Sequence, residues 1–245
     1  MVVITETWLN SNIPDGLLDP SHRYHIFRCD RNVRRGGGVC VLVNRELDAV
    51  NVDISECYSD VELLCIDIIR CKTNCRLVAV YRSTDNTQQS DKFTKQLVQC
   101  IESVCCVSWP CFVVGDFNAP AIDWSHLSVS PCCAKIHLLS FAIDNGFTQI
   151  VNSATRKSSI LDLALTNEPN TVFDVVVGPP FGLSDHCSVN LTIVVEPQLP
   201  TGMPCSEGAN EHPVEVKRYR WSDADYNGIN SHLLNVDWSQ LFPVT

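Results

Sequence analysis

Acidic and polar residues recur in this chain at one kind of position, beside a short apolar run. Glu6 follows Val2–Thr5, Tyr81 ends Leu77–Tyr81, Asp116 and Asn118 follow Cys111–Val114 through Gly115, and Asp185 and His186 precede Val189. If the runs are strands, their ends deliver these side chains to one edge of a sheet. Carboxylates gathered there repel one another unless a cation compensates them, and hard divalent ions prefer such oxygens. Magnesium, or manganese in its place, is therefore the expected metal.

Each segment taken alone has an ordinary reading as well. "VVGDFN" (113–118) is a good turn after a strand, since Gly-Asp and Phe-Asn are common turn formers. In the functional reading Asp116 accepts a proton from water and Asn118 donates to a phosphate oxygen. "LSDHCSV" (183–189) carries an Asp-His pair that could equally be a solvated turn or a cap. "SILDLALTN" (159–167) is a strand with one acid, Asp162. A buried carboxylate needs a partner, and a histidine can supply it.

The elements that would position these groups are mostly strands. Short β-branched runs occur at Val2–Thr5, Tyr24–Phe27, Gly38–Val43, Val61–Ile69, Leu77–Tyr81, Phe112–Val114, Leu161–Thr166, Val172–Val177 and Val189–Val195. One helix is predicted from Ser90 or Asp91, with Phe93, Leu97, Ile101 and Val104 on one face. A second puts Ile136, Leu139 and Ile143 on a face and stops at Gly146, a residue suited to the position just past a helix end. Strand runs with few, separated helices indicate a layered α/β or α+β domain. That domain is expected over 1–195. A Pro-rich linker follows over 196–218, with Pro197, Pro200, Pro204 and Pro213, and a short amphipathic stretch over 219–245 resembles the start of a connector.

Composition limits the classes. The chain has 245 residues, 45% hydrophobic and 19% charged, enough apolar mass for a large core. Its apolar runs are far shorter than the ~20 residues a membrane span needs, and its first residues contain no secretory signal. No membrane partner and no export are expected, so the protein is read as intracellular. The net charge of −10 would repel nucleic acid if it were evenly spread. It is not: Arg23, Arg28, Arg31, Arg34 and Arg35 face only Asp30 across that stretch. Arg34 and Arg35 are either a solvated loop or contacts to substrate phosphate. The 14 cysteines sit in strand-like contexts without zinc-ligand spacing and read as reduced, buried small hydrophobes. Gly36–Gly38 reads as a turn feeding a strand, and Trp8 and Trp124 read as core.

Together the segments resemble the endonuclease/exonuclease/phosphatase superfamily with its DNase-I-like fold, and most closely the endonuclease domain of non-LTR retrotransposons. The matching pieces, in that family's order, are "ITETWL" (4–9), "RRGGGVCVLV" (34–43), "LVAVYR" (77–82), "VVGDFNAPAIDW" (113–124), "TRKSSILDLALTN" (155–167) and "LSDHCSV" (183–189). The resemblance implies a four-layered α/β sandwich with two central mixed β-sheets. It also implies roles: Glu6, helped by Asp185, binds the metal; Asp116 positions or deprotonates the attacking water; Asn118 holds the scissile phosphate. His186, oriented by Asp162, would stabilise charge on the phosphate oxygens, and Tyr81 would lie beside the phosphate or the leaving group.

Two departures from the family pattern stand out. Family members begin with a strand upstream of "ETW" whose end carries an Asn; here that strand and its Asn are expected to be missing, with reduced stability and activity as the consequence. "VYRSTDN" (80–86) replaces the usual Tyr-Arg-Pro-Pro type of turn. The function implied is metal-dependent nicking of one DNA strand to leave a 3′-hydroxyl primer, with DNA as partner, a reverse transcriptase domain in cis, and access to the nucleus. The alternatives are a small-molecule or lipid phosphatase of the same superfamily, and a catalytically dead retroelement remnant.

Overall fold

The computed structural model describes residues 1–31, 36–54, 58, 61–69, 74–83, 88–130 and 135–194. The expected linker and connector, Arg34 and Arg35, and Cys71, Cys132 and Cys133 lie outside these residues.

Among these residues eleven strands and two α-helices follow in the order β1 (Val2–Thr5), β2 (Tyr24–Cys29), β3 (Val39–Asn44), β4 (Ala49–Asn51), β5 (Glu62–Ile68), β6 (Cys75–Tyr81), α1 (Gln88–Val104), β7 (Cys111–Asp116), α2 (Ile136–Asp144), β8 (Thr148–Gln149), β9 (Asp162–Thr166), β10 (Val172–Pro180) and β11 (Cys187–Ile193). A six-stranded sheet runs β4-β5-β6-β7-β9-β8, a three-stranded sheet runs β1-β3-β2, and β10 pairs with β11. Among the described residues β1 pairs only with β3, and the β10–β11 hairpin only with itself.

The architecture is the α/β sandwich of the DNase-I-like fold, and its mixed character resides in the larger sheet. There β6 and β7 are parallel, which requires a crossover, and α1 supplies it. All ladders of the three-stranded sheet are antiparallel.

Side-chain alternation divides the core in two. On one face of the large sheet Leu63, Cys65, Val78, Val80, Val113, Leu163 and Leu165 pack against Leu97, Ile101, Leu138 and Phe141 of the helices. On the other, Leu64, Ile66, Leu77, Ala79 and Phe112 pack against Val39, Val41 and Val43 of β3. The small sheet thus lies over β5, β6 and β7. Its outer side is tied to the 10–15 segment by Arg28, which donates to the carbonyls of Asn10 and Ile13 and to Asp15.

Three expectations are corrected. The buried face of α2 is Leu138, Leu139, Phe141 and Ala142, while Ile136 and Ile143 are exposed. Six of its nine residues are apolar, so spacing alone did not determine the face. Trp8 is half exposed and not core; its φ of 57° turns it out at the end of β1. Helix α1 begins at Gln88, before the cap-like Ser90. The described cysteines are free thiols, with Cys40, Cys65, Cys75, Cys100, Cys105 and Cys111 buried.

Candidate active site

The ladders of the large sheet bring four side chains into one row. Glu62 of β5 is the register partner of Tyr81 of β6, Tyr81 of Asp116 of β7, and Asp116 of Asp162 of β9. Partners across adjacent strands project to the same face, here the face toward the small sheet.

Asp116 is the most enclosed carboxyl of the row, only 3% exposed. Burial, and then the neighbouring Asp162, raise its pKa to about 7; His186 and hydrogen bonds from Asn118 oppose the rise. Gly115 precedes it with φ of 139°. A Cβ at 115 would stand 1.9 Å from the carbonyl oxygen of Val80, so only glycine lets β6 and β7 approach this closely.

Asn118, at φ of 46°, folds back onto Asp116. Its backbone N–H donates to Oδ1 at 2.9 Å, and its Nδ2 donates to Oδ2 at 2.8 Å and to the Arg82 carbonyl at 2.8 Å. Both amide hydrogens are thereby engaged, and Asn118 holds the Asp116 carboxylate.

His186 Nδ1 lies 2.8 Å from Asp162 Oδ2, with each side chain 19% exposed. This is the pairing expected from the sequence, and it leaves Nε2 as the nitrogen available to a substrate. Thr155, fully buried, supports the arrangement. Its Oγ1 accepts the N–H groups of Leu161 and Asp162, and its carbonyl accepts the Cys187 N–H.

Asp116, Asp162 and His186 form a group of potential metal-binding atoms lying within 4.8 Å of one another. Carboxylate oxygens plus an imidazole suit a divalent cation, and two adjacent carboxyls favour one electrostatically. Glu6 and Asp185 stand outside this group. Glu6 is exposed at φ of 54° and near enough to Tyr81 to disfavour its ionisation. Asp185 is held by Arg156, whose Nε and second guanidinium nitrogen lie 2.8 and 2.6 Å from its Oδ2. That contact lowers the pKa of Asp185. Tyr81 is buried, and burial followed by the charges of Glu6 and Asp116 pushes its pKa up to about 12, so at neutral pH it keeps its proton and can donate a hydrogen bond.

Sequence reasoning missed three cations. Arg82 is buried and donates to Thr94 Oγ1 at 3.0 Å and to the carbonyls of Phe117 and Asn118 at 3.2 and 3.1 Å, fixing the loop after Asp116. Arg156 restrains Asp185, and Arg31 pairs with Glu62 beside Tyr81. The only signals were a charge directly after a strand for Arg82 and a basic loop for Arg31; nothing local marks their partners.

Residues 75–190 match a family model described as endonuclease-reverse transcriptase. No curated protein matches the sequence. Similar solved structures include the 3′ phosphatase NExo from Neisseria bound to a product DNA hairpin (TM-score 0.58, 13% identity, 78% of this chain and 88% of that one). The endonuclease domain of TRAS1, a telomere-specific non-LTR retrotransposon, superposes with TM-score 0.56 at 13% identity over 78% of this chain and 83% of that one. An AP endonuclease from Archaeoglobus fulgidus does so with TM-score 0.54 at 15% identity, over 78% and 87%. At these identities the likeness is one of fold.

Proposed function

We propose that the chain is a member of the endonuclease/exonuclease/phosphatase superfamily, a reading supported by the family model over residues 75–190 and by the fold shared with solved structures, and that it is a divalent-metal-dependent DNA endonuclease of retrotransposon type. It nicks one strand and leaves a 3′-hydroxyl from which reverse transcription primes. The carrying observation is the group formed by Asp116, Asp162 and His186. A carboxyl with pKa about 7 is suited to take a proton from water near neutral pH, and an imidazole anchored through Nδ1 has its other nitrogen for a phosphate oxygen.

In this reading Asp116 orients and deprotonates the water, while Asn118 and Arg82 fix Asp116 in place. His186, oriented by Asp162, stabilises negative charge developing on phosphate. Tyr81 donates a hydrogen bond at the phosphate or leaving oxygen. Glu6 and Asp185 would hold magnesium or manganese, Asp185 only if released from Arg156. Bound there, the ion screens the phosphate anion and lowers the barrier to attack. Arg34 and Arg35 contact substrate phosphates. A reverse transcriptase domain in cis, and access to the nucleus, complete the proposed role. No helix among the described residues is long and apolar enough to cross a membrane.

The test is supercoiled-plasmid relaxation with magnesium, manganese or chelator, run beside hydrolysis of p-nitrophenyl phosphate and of phosphoinositide headgroups. Metal-dependent conversion to open circles that polymerase extends, lost in His186→Ala, supports the reading. Turnover of the small phosphates with intact plasmid would replace it with a phosphatase.

A further inference from the structure

The Arg31–Glu62 pair is nearly buried, with side chains 12% and 11% exposed, and the reading above gives it no part. Arg31 Nε donates to Glu62 Oε1 at 2.7 Å, and a second guanidinium nitrogen donates to the same oxygen. The other oxygen, Oε2, accepts the backbone N–H of Gly38. Glu62 therefore clamps both the segment after β2 and the segment entering β3. Gly37 makes the space: at φ of 77°, a Cβ there would come within 2.3 Å of Arg31 Cζ and 2.4 Å of Glu62 Oε2. The glycine run is thus a slot for an ion pair, beyond the turn read from sequence.

The guanidinium held in this slot lies over the Tyr81 ring, with Cζ 5.6 Å from its centroid, within the range of a cation–π contact. Tyr81 is also the cross-strand neighbour of Glu62. A buried ion pair adds little stability over apolar residues of equal volume, so its placement against a functional ring calls for a further explanation. We propose that Arg31, carried by Glu62, is the positioning residue for Tyr81: its guanidinium fixes the ring so that the phenol hydroxyl is aimed into the site beside Asp116. The inference rests on the nuclease reading for the use made of that hydroxyl, but the contact itself can be tested without turnover.

The experiment is a double-mutant cycle on the full chain with Arg31→Met, Tyr81→Phe and the pair, each checked by thermal melting, with Arg31→Lys as a gentler variant should Arg31→Met not fold. Plasmid-nicking kcat and KM are measured at several salt concentrations. If Arg31 acts through Tyr81, its replacement lowers kcat about tenfold with little change in KM, as expected for a misaimed group. The double variant is then no slower than Tyr81→Phe alone. Effects that multiply, or that fall on KM and on its salt dependence, make Arg31 a direct DNA contact and overturn the proposal.

In parallel, ring carbon-13 spectra are recorded for protein labelled at its 5 tyrosines, with Tyr81 assigned by its loss in Tyr81→Phe. A Tyr81 resonance displaced in the Arg31 variants supports the contact, and one that stays in place refutes it. If the wild type fails to nick under either metal, the nuclease reading falls, and the ring spectrum still decides whether Arg31 orients Tyr81.

Discussion

Replacing Asp116 with Asn should stabilise the apo protein at pH 8 and destabilise it at pH 4. Asp116 is 3% exposed and its pKa is raised to about 7, whereas an unfolded chain ionises near ~3.9. Between those values the folded state binds the extra proton, so wild-type stability falls as pH rises from about 4 to about 7. A gap of roughly three units at ~1.4 kcal/mol each is on the order of 4 kcal/mol. The substituted amide would keep an acceptor for the Asn118 N–H but lose the Nδ2 contact made to Oδ2, which offsets about 1 kcal/mol. The net gain at pH 8 is about 3 kcal/mol, or on the order of 10 °C in Tm for a domain of this size. Melting curves of both proteins in chelator at half-unit pH steps measure it. Titrating groups that do not interact with Asp116 cancel in the difference between the curves, whereas Asp162 and His186, which do, contribute to it. Parallel curves from pH 4 to 8 would refute the burial argument. Nicking by the variant should fall by ~10²–10⁴, since the proton acceptor is gone.

Three further outcomes follow from described contacts. Asp162→Ala should lower kcat by about ten- to a hundredfold through loss of imidazole orientation, and nitrogen-15 spectra should show His186 losing its single Nδ1–H tautomer; a retained tautomer would remove the pairing. Arg76→Met should destabilise the fold by about 3–5 kcal/mol in urea unfolding, because Asp67, bound through both carboxylate oxygens at 2.6 and 2.7 Å, would be left unpaired. Gly115→Ala should give little folded protein by circular dichroism, since its Cβ would overlap the Val80 carbonyl, and a soluble, cooperative variant would contradict the close approach of β6 and β7.

Much of the fold was legible because strands of this kind announce themselves by β-branched runs, and each predicted run contains or overlaps an observed strand. The three-residue β4 and two-residue β8 were not seen, being too short to show alternation. The pairing of Asp162 with His186 was legible through the family resemblance that implied it; the residues alone said only that an acid in an apolar strand needs a partner. Other pairings were not. Arg31 and Glu62 are 31 residues apart and Arg156 and Asp185 are 29 apart, and only tertiary packing makes neighbours of them. Trp8 misled because its residue type suggests burial, while a left-handed backbone at Glu6 and again at Trp8 turns it outward.

The row Glu62–Tyr81–Asp116–Asp162 ties the proposed catalytic groups to strand register. Sliding one strand by a single residue would send its member to the opposite face, and by two would move it ~7 Å along the sheet. Deletions or insertions within β5, β6, β7 or β9 should therefore abolish function even where the hydrophobic pattern could be re-threaded. Length changes in the connections between these strands leave the row aligned. A length-variation library selected for activity should have no indels inside the four strands, and those in the connections should avoid the positions next to Arg82, Asn118, Thr155 and His186.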